Sequence, residues 1–257
     1  MDMKIWFPFS RDNLTNVNLF CFHHAGGSAA NYKEWVSESK EANIYSVELP
    51  GKGTRRNEEP ILNVDDLGVE IAKAIESISK DRKVVLFGHS MGAAIAFKVA
   101  YYLEKNTDIQ MQLLIVASRQ APHYKGKDKY HSTKADNYLI QELYRLGGTP
   151  KHLLENQEFL NFVIPSIKND YILHESFSYK GEELNTPIIA HYSEDDVDLT
   201  ELDLLRWQEV TSNEYAIKKF QGGHFFFYEL GNTYLKIIED TIIHYNANVL
   251  WKTFSNL

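Results

Sequence analysis

Apolar residues follow two alternating rhythms along the chain. Short runs rich in β-branched and aromatic residues, near 17–22, 43–49, 83–87, 111–117, 187–192 and 214–220, read as strands. Between them, segments near 29–38, 64–79, 91–105, 200–212 and 225–246 carry helical spacing, and Leu67, Ile71, Ile75 and Ile78 fall on one face of the second. This alternation predicts an α/β fold with a mainly parallel sheet flanked by helices. The rhythm breaks between Arg119 and Glu183. A Lys-rich loop there is followed by helix-like pieces around Ala135–Leu146, Pro150–Glu155 and Gln157–Tyr171 with no strand, which predicts a helical lid insertion at about 119–183 within a single domain spanning 1–257. Thr149 and Pro150 read as the N-cap and first residue of the middle piece. No internal repeat or low-complexity segment interrupts the pattern.

The run Val84-Val85-Leu86-Phe87 ends in Gly88-His89-Ser90-Met91-Gly92, after which Met91 to Lys105 is helical and rich in Ala, Ile and Phe. A strand-to-helix turn this tight forces its central residue into a strained backbone. A Cβ two residues before or after would collide with the neighbouring strand or helix, so both flanking positions require glycine. Ser90 Oγ is thereby raised above the sheet, which makes it a candidate nucleophile.

A free serine hydroxyl reacts poorly, so Ser90 requires a base and an acid to orient that base, both C-terminal to it in this arrangement. The strand Pro187 to Tyr192 runs into Ser193-Glu194-Asp195-Asp196-Val197-Asp198-Leu199-Thr200, at the sheet edge where α/β folds carry their chemistry. Asp196 is the preferred acid because Leu199, three residues on, can anchor the loop to the core. Asp195 is the next choice, ahead of Asp198 and Glu194, since Asp195 and Asp198 suit solvent or a cap for the helix starting near Thr200. The base is His224, which follows the strand 214–220 and the pair Gly222-Gly223. Phe225-Phe226-Phe227 would dry its surroundings and favour the neutral imidazole.

The loop after the first strand, His23-His24-Ala25-Gly26-Gly27-Ser28, is placed to aim backbone N–H groups at a developing oxyanion, and the candidate donors are the Ala25 and Met91 N–H groups. His23 and His24 are an improbable metal pair, because adjacent histidines point apart and no Cys or acidic ligand lies at a binding spacing. No metal site and no cofactor are expected.

Together these motifs resemble the type II, or external, thioesterases that accompany nonribosomal peptide and polyketide synthetases. The resemblance also covers Glu48-Leu49-Pro50-Gly51-Lys52-Gly53-Thr54-Arg55-Arg56-Asn57-Glu58-Glu59-Pro60, Ser118-Arg119-Gln120-Ala121-Pro122 and Leu146-Gly147-Gly148-Thr149-Pro150. The chain departs from the family pattern at Val197-Asp198 and at Phe22-His23. The resemblance implies an α/β-hydrolase fold and a hydrolase of acyl thioesters on the phosphopantetheine arms of acyl or peptidyl carrier proteins, which removes stalled or misprimed groups. Rival readings are a medium-chain fatty acyl thioesterase or other esterase, and a non-catalytic ligand-binding protein on the same fold.

Composition narrows the setting. A hydrophobic share of 44% and a charged share of 24% over 257 residues are ordinary for a soluble globule. The single cysteine, Cys21, falls in a core strand, which leaves no disulfide framework or Cys-x-x-Cys pair and points to a cytoplasmic protein. The N-terminus lacks a signal-peptide pattern, no run is long enough for a membrane helix, and a net charge of -8 argues against nucleic acid as a partner. Leu143, Leu153, Phe159, Phe162, Ile167 and Tyr171 would line an apolar lid roof. A basic cluster of Lys125, Lys127 and Lys129 with Arg119 and His123 could receive an acidic carrier protein.

Overall fold

The computed structural model describes residues 3–11, 15–124 and 131–247. Seven strands form one sheet: β1 (Phe9–Ser10), β2 (Val17–Phe22), β3 (Asn43–Ser46), β4 (Lys83–His89), β5 (Met111–Ala117), β6 (Ile188–Ser193) and β7 (Tyr215–Phe220). Their order is β1-β3-β2-β4-β5-β6-β7, and all neighbours are parallel except the β1–β3 edge pair. The helices are α1 (Met3–Trp6), α2 (Lys33–Glu38), α3 (Val64–Ser79), α4 (Met91–Asn106), α5 (Asp136–Leu146), α6 (Lys151–Leu154), α7 (Gln157–Glu175), α8 (Glu201–Leu205), α9 (Phe226–Leu230) and α10 (Asn232–Asn246). This is the architecture of the α/β-hydrolase fold.

The continuous apolar runs have a direct cause. Along β4, Val84 and Leu86 enter a core shared with α3 and α4, while Val85 and Phe87 enter a second core with Tyr32, Trp35 and α10. β5 divides in the same way, with Leu114 and Val116 on one face and Leu113, Ile115 and Ala117 on the other. A strand buried on both faces has no solvent side to carry polar residues. The helices between β5 and β6 hold a third cluster of their own, built on Leu139, Leu154, Leu160, Ile164 and Ile167.

Several boundaries differ from the sequence reading. β3 stops at Ser46: the Val47 N–H makes the last bond to β2, at the Cys21 carbonyl, and the Glu48 N–H turns away to the Trp6 carbonyl. The helix expected over 225–246 is two helices, broken where Gly231 adopts φ 50 and ψ -128. The helix expected over 200–212 is α8 followed by a tighter turn, Arg206–Val210, and the one over 29–38 opens as a tight turn, Ala29–Tyr32. Pro150, rather than Thr149, takes the cap position of α6, with an extended backbone. The two-residue edge strand β1 was too short to leave a periodic signal. No described helix is long and apolar enough to cross a membrane.

Candidate active site

Ser90 lies between β4 and α4 at φ 54 and ψ -115. Among the described residues only Ser90 and Ser118 combine a side chain with positive φ. Such a backbone costs on the order of 1–3 kcal/mol and persists only where the surroundings enforce it. Here they do: the Ser90 N–H donates to the Ala117 carbonyl at 2.8 Å, tying the turn to β5. A Cβ at Gly88 would lie 2.5 Å from Cα of Ala93, and one at Gly92 2.6 Å from the carbonyl carbon of Phe22. Both are backbone atoms that cannot move aside.

His224 follows β7 and meets Asp196 from the loop after β6. Its Nδ1–H donates to Asp196 Oδ2 at 2.8 Å, and the Asp196 side chain is fully buried. With the proton on Nδ1, Nε2 of the neutral ring is left as an acceptor. The neighbouring acids are engaged elsewhere or face solvent: Glu194 pairs with Lys219 at 2.9 Å, Asp198 with Arg145 at 2.6 Å, and Asp195 is exposed. Phe225 packs edge-on against the imidazole at 5.0 Å, whereas Phe226 and Phe227 point into the core beside α10.

The His224 backbone is pinned as well. Its carbonyl accepts from His89 Nε2 at 2.8 Å and from Ser118 Oγ at 3.0 Å. Ser118, the second strained residue, therefore joins the end of β5 to the histidine loop. Its strain leaves no trace in composition or spacing.

Ala25 and Met91 both border the space in front of Ser90. The loop around Ala25 is held on both sides. His24 Nδ1–H donates to the Ala25 carbonyl at 2.8 Å, so His24 Nε2 must accept from Tyr228 Oη, also at 2.8 Å, while Asn31 Nδ2 donates to the same phenol. Desolvation lowers His24 to about 4, consistent with this neutral tautomer. Burial, aided by the nearby Lys52 charge, lowers His23 to about 3, and its Nδ1–H is bound to the His24 carbonyl at 2.8 Å. Among the described residues no group of three His, Cys, Asp or Glu is arranged to hold a metal ion.

Two cavities meet at Ser90 and His224, and Ala25, Leu146 and Tyr171 border both. The smaller, about 110 Å³, is lined about equally by polar and apolar surface and includes the charged or polar side chains Arg119, Glu142, Arg145, His174 and Asp198. The larger, about 510 Å³, is mostly apolar and includes Leu143, Phe159, Val163, Ile167 and Phe225. Of the residues expected to roof the site, Leu143, Phe159, Ile167 and Tyr171 line the large cavity. Leu153 does not, and Phe162 is 76% exposed, because it lies on the outer side of α7. Lys125, Lys127 and Lys129 lie outside the described residues. Of the other members of that expected basic cluster, Arg119 borders the small cavity and stacks over Phe177 at 5.3 Å, and His123 meets Glu209 at 3.1 Å.

Residues 17–242 match the family model described as a thioesterase domain. The gramicidin S biosynthesis protein GrsT of Aneurinibacillus migulanus is 32% identical over 87% of this chain and 88% of its own. The medium-chain S-acyl fatty acid synthase thioesterase of Homo sapiens is 30% identical over 88% of this chain and 85% of its own. The solved structure of BorB, a type II thioesterase from the borrelidin biosynthetic cluster, superposes with a TM-score of 0.80 at 30% identity, covering 92% of this chain and 97% of that one. With a strained serine between strand and helix, a histidine bonded to a buried aspartate, and a match over nearly the whole described chain, this protein belongs to the thioesterase family of the α/β-hydrolase fold.

Proposed function

We propose that Ser90, His224 and Asp196 form a catalytic triad that hydrolyses acyl thioesters held on the phosphopantetheine arms of carrier proteins, clearing stalled or misprimed groups from a nonribosomal peptide or polyketide assembly line. The observation that carries this reading is the His224–Asp196 bond beside a strained Ser90 at the junction of two cavities. Ser90 Oγ attacks the thioester carbonyl as His224 Nε2 takes its proton, while Asp196 holds the ring tautomer and offsets the imidazolium charge. The Ala25 and Met91 N–H groups stabilise the oxyanion. The C–S bond then breaks and His224 returns the proton to the departing thiolate. Water, deprotonated by His224, attacks the acyl-serine and releases the acid and free Ser90.

The arrangement of cavities suits a substrate with two unlike ends, an amide-bearing arm in the smaller cavity, beside Arg119, Glu142 and Arg145, and an acyl group in the larger, more apolar one. In this reading the helices between β5 and β6 serve as a lid, the chain works as one catalytic domain in the cytoplasm, and neither metal nor cofactor takes part. Relatives named for gramicidin S and borrelidin biosynthesis support the assembly-line role.

A second reading, a medium-chain fatty acyl thioesterase, draws on the large apolar cavity and on the likeness to the human enzyme. One carrier protein loaded in parallel with acetyl, aminoacyl and long fatty acyl groups separates the two by kcat/KM. Comparable rates for the short groups, with carrier-bound forms favoured over coenzyme A thioesters, are expected. One methylene in an apolar pocket changes selectivity by only about 1–3 kcal/mol. A strong preference for the fatty chain with little gain from the carrier overturns the assembly-line role. Absence of Ser90 labelling by a fluorophosphonate would instead favour a non-catalytic binding protein.

A further inference from the structure

A buried ion pair joins the helical insertion to the loop that carries Ala25. Asp170, on α7, is 3% exposed, and Lys52, from the loop after β3, is 7% exposed. Lys52 Nζ donates to Asp170 Oδ2 at 2.6 Å and to Ser166 Oγ, one turn earlier on α7, at 3.0 Å. The same Asp170 oxygen accepts the Gly26 N–H at 2.7 Å. Because a buried ion pair contributes little net stability against its desolvation cost, the geometry it imposes is the more telling consequence.

That geometry bears on a single peptide plane. The Ala25 carbonyl and the Gly26 N–H belong to one rigid unit. His24 Nδ1–H holds its oxygen end, and the Asp170 carboxylate holds its nitrogen end. Two soft torsions at the Ala25 Cα separate this plane from the Ala25 N–H. Gly26 itself stands at φ 85, a conformation that favours glycine, with Ile167 of α7 packed against it.

We infer that Asp170 is a positioning residue for oxyanion stabilisation: seated on Gly26 and Lys52, α7 fixes the Ala25–Gly26 peptide and through it the Ala25 N–H. The inference rests on the proposed hydrolytic role of Ser90. It makes the insertion a part of the catalytic geometry and not only a cover, since the loop is fully ordered for catalysis only when α7 is docked. A charge-assisted bond to the Gly26 N–H is the stronger kind, and a neutral acceptor at position 170 would hold the plane less firmly.

The test compares Asp170→Asn, Lys52→Met and Lys52→Arg with wild type, and includes as a control Lys168→Met, which removes a different α7 lysine, one that pairs with Asp136 of α5. Each is assayed on a small acyl thioester, with rates normalised to Ser90 titrated by a fluorophosphonate. Affinity is measured for a trifluoromethyl ketone, whose adduct with Ser90 carries the oxyanion. Loss of one oxyanion donor costs about 10²–10³ in kcat, so the partial misplacement in Asp170→Asn should cost about 10- to 100-fold. Ketone affinity should weaken by a similar factor while KM stays within about twofold. Lys52→Met should shift the same readouts in the same direction, Lys52→Arg should recover most of the loss, and Lys168→Met should match wild type. Should Asp170→Asn fail to fold, Asp170→Glu, which keeps the charge but displaces it by one methylene, should give an intermediate loss. Wild-type kcat per titrated site in Asp170→Asn, or in both Lys52→Met and Asp170→Glu, overturns the inference, as does a loss of kcat with unchanged ketone affinity. A wild-type protein that neither hydrolyses thioesters nor binds the ketone overturns the hydrolytic reading itself.

Discussion

Acidification should destabilise this fold steeply, and buried histidines set the amount. His23, His89 and His191 are 1%, 0% and 0% exposed. Desolvation lowers His23 and His191 to about 3 and holds His89 well below the ordinary imidazole value. The folded state therefore keeps all three neutral in mild acid, while the unfolded chain, with imidazoles near about 6.5, takes up protons. Because the unfolded state binds more protons, stability falls as pH falls. Between about pH 7.5 and about pH 5.5 each such histidine removes about 1.4 kcal/mol, so the three together remove about 4 kcal/mol, a large part of the about 5–15 kcal/mol that holds a typical domain. His24, lowered to about 4, also stays neutral over this interval and adds a similar share. Asp170, whose carboxyl burial pushes up, acts in the opposite sense. Denaturant unfolding at the two pH values measures the fall, and His191→Asn, which keeps a hydrogen-bonding group near Tyr234 Oη but does not titrate, should reduce it by about 1.4 kcal/mol. A fall below about 2 kcal/mol, or an unchanged fall in His191→Asn, would refute the assignment of these rings as neutral buried groups.

Other perturbations test the site directly. Ser90→Ala or His224→Ala should lower kcat by about 10⁴–10⁶ with binding retained, Asp196→Asn should cost somewhat less, and Asp195→Asn should stay near wild type in steady-state kinetics; a crippled Asp195→Asn beside a near-normal Asp196→Asn would reverse the acid assignment. Gly92→Ala drives a Cβ against the Phe22 backbone and should abolish activity and cost at least about 3 kcal/mol in unfolding experiments, whereas a near-native midpoint would show that the elbow can relax. Arg145 binds Asp198 and Glu142 together, tying α5 to the loop that carries Asp196. Arg145→Met should speed limited proteolysis of the 131–175 segment and lower kcat/KM by about tenfold or less, and an unchanged cleavage pattern would remove this pair as a tie.

The parts of this protein legible in its sequence are those governed by local chemistry. A strand buried on both faces must be continuously apolar, which is why β4 and β5 stood out. The glycines of Gly88-His89-Ser90-Met91-Gly92 answer a steric demand within five residues, so the elbow could be read without coordinates. The candidate acid and histidine, after β6 and β7, were sought C-terminal to the serine after β4 because this fold places its site residues in that order. Boundaries were less so, since Gly231 breaks a helix by its own backbone conformation and β3 ends where the Glu48 N–H turns to the distant Trp6 carbonyl. Adjacent acids carry equal local chemistry, and only the approach of the loop after β7 makes Asp196 the partner of His224. The strain at Ser118, the meeting of two unlike cavities, and the grip of Asp170 on Gly26 across 144 residues of chain were decided by tertiary structure alone. A hydrogen bond or an ion pair depends on where two groups arrive in space, and a pattern along the chain records only what each segment requires of its immediate surroundings.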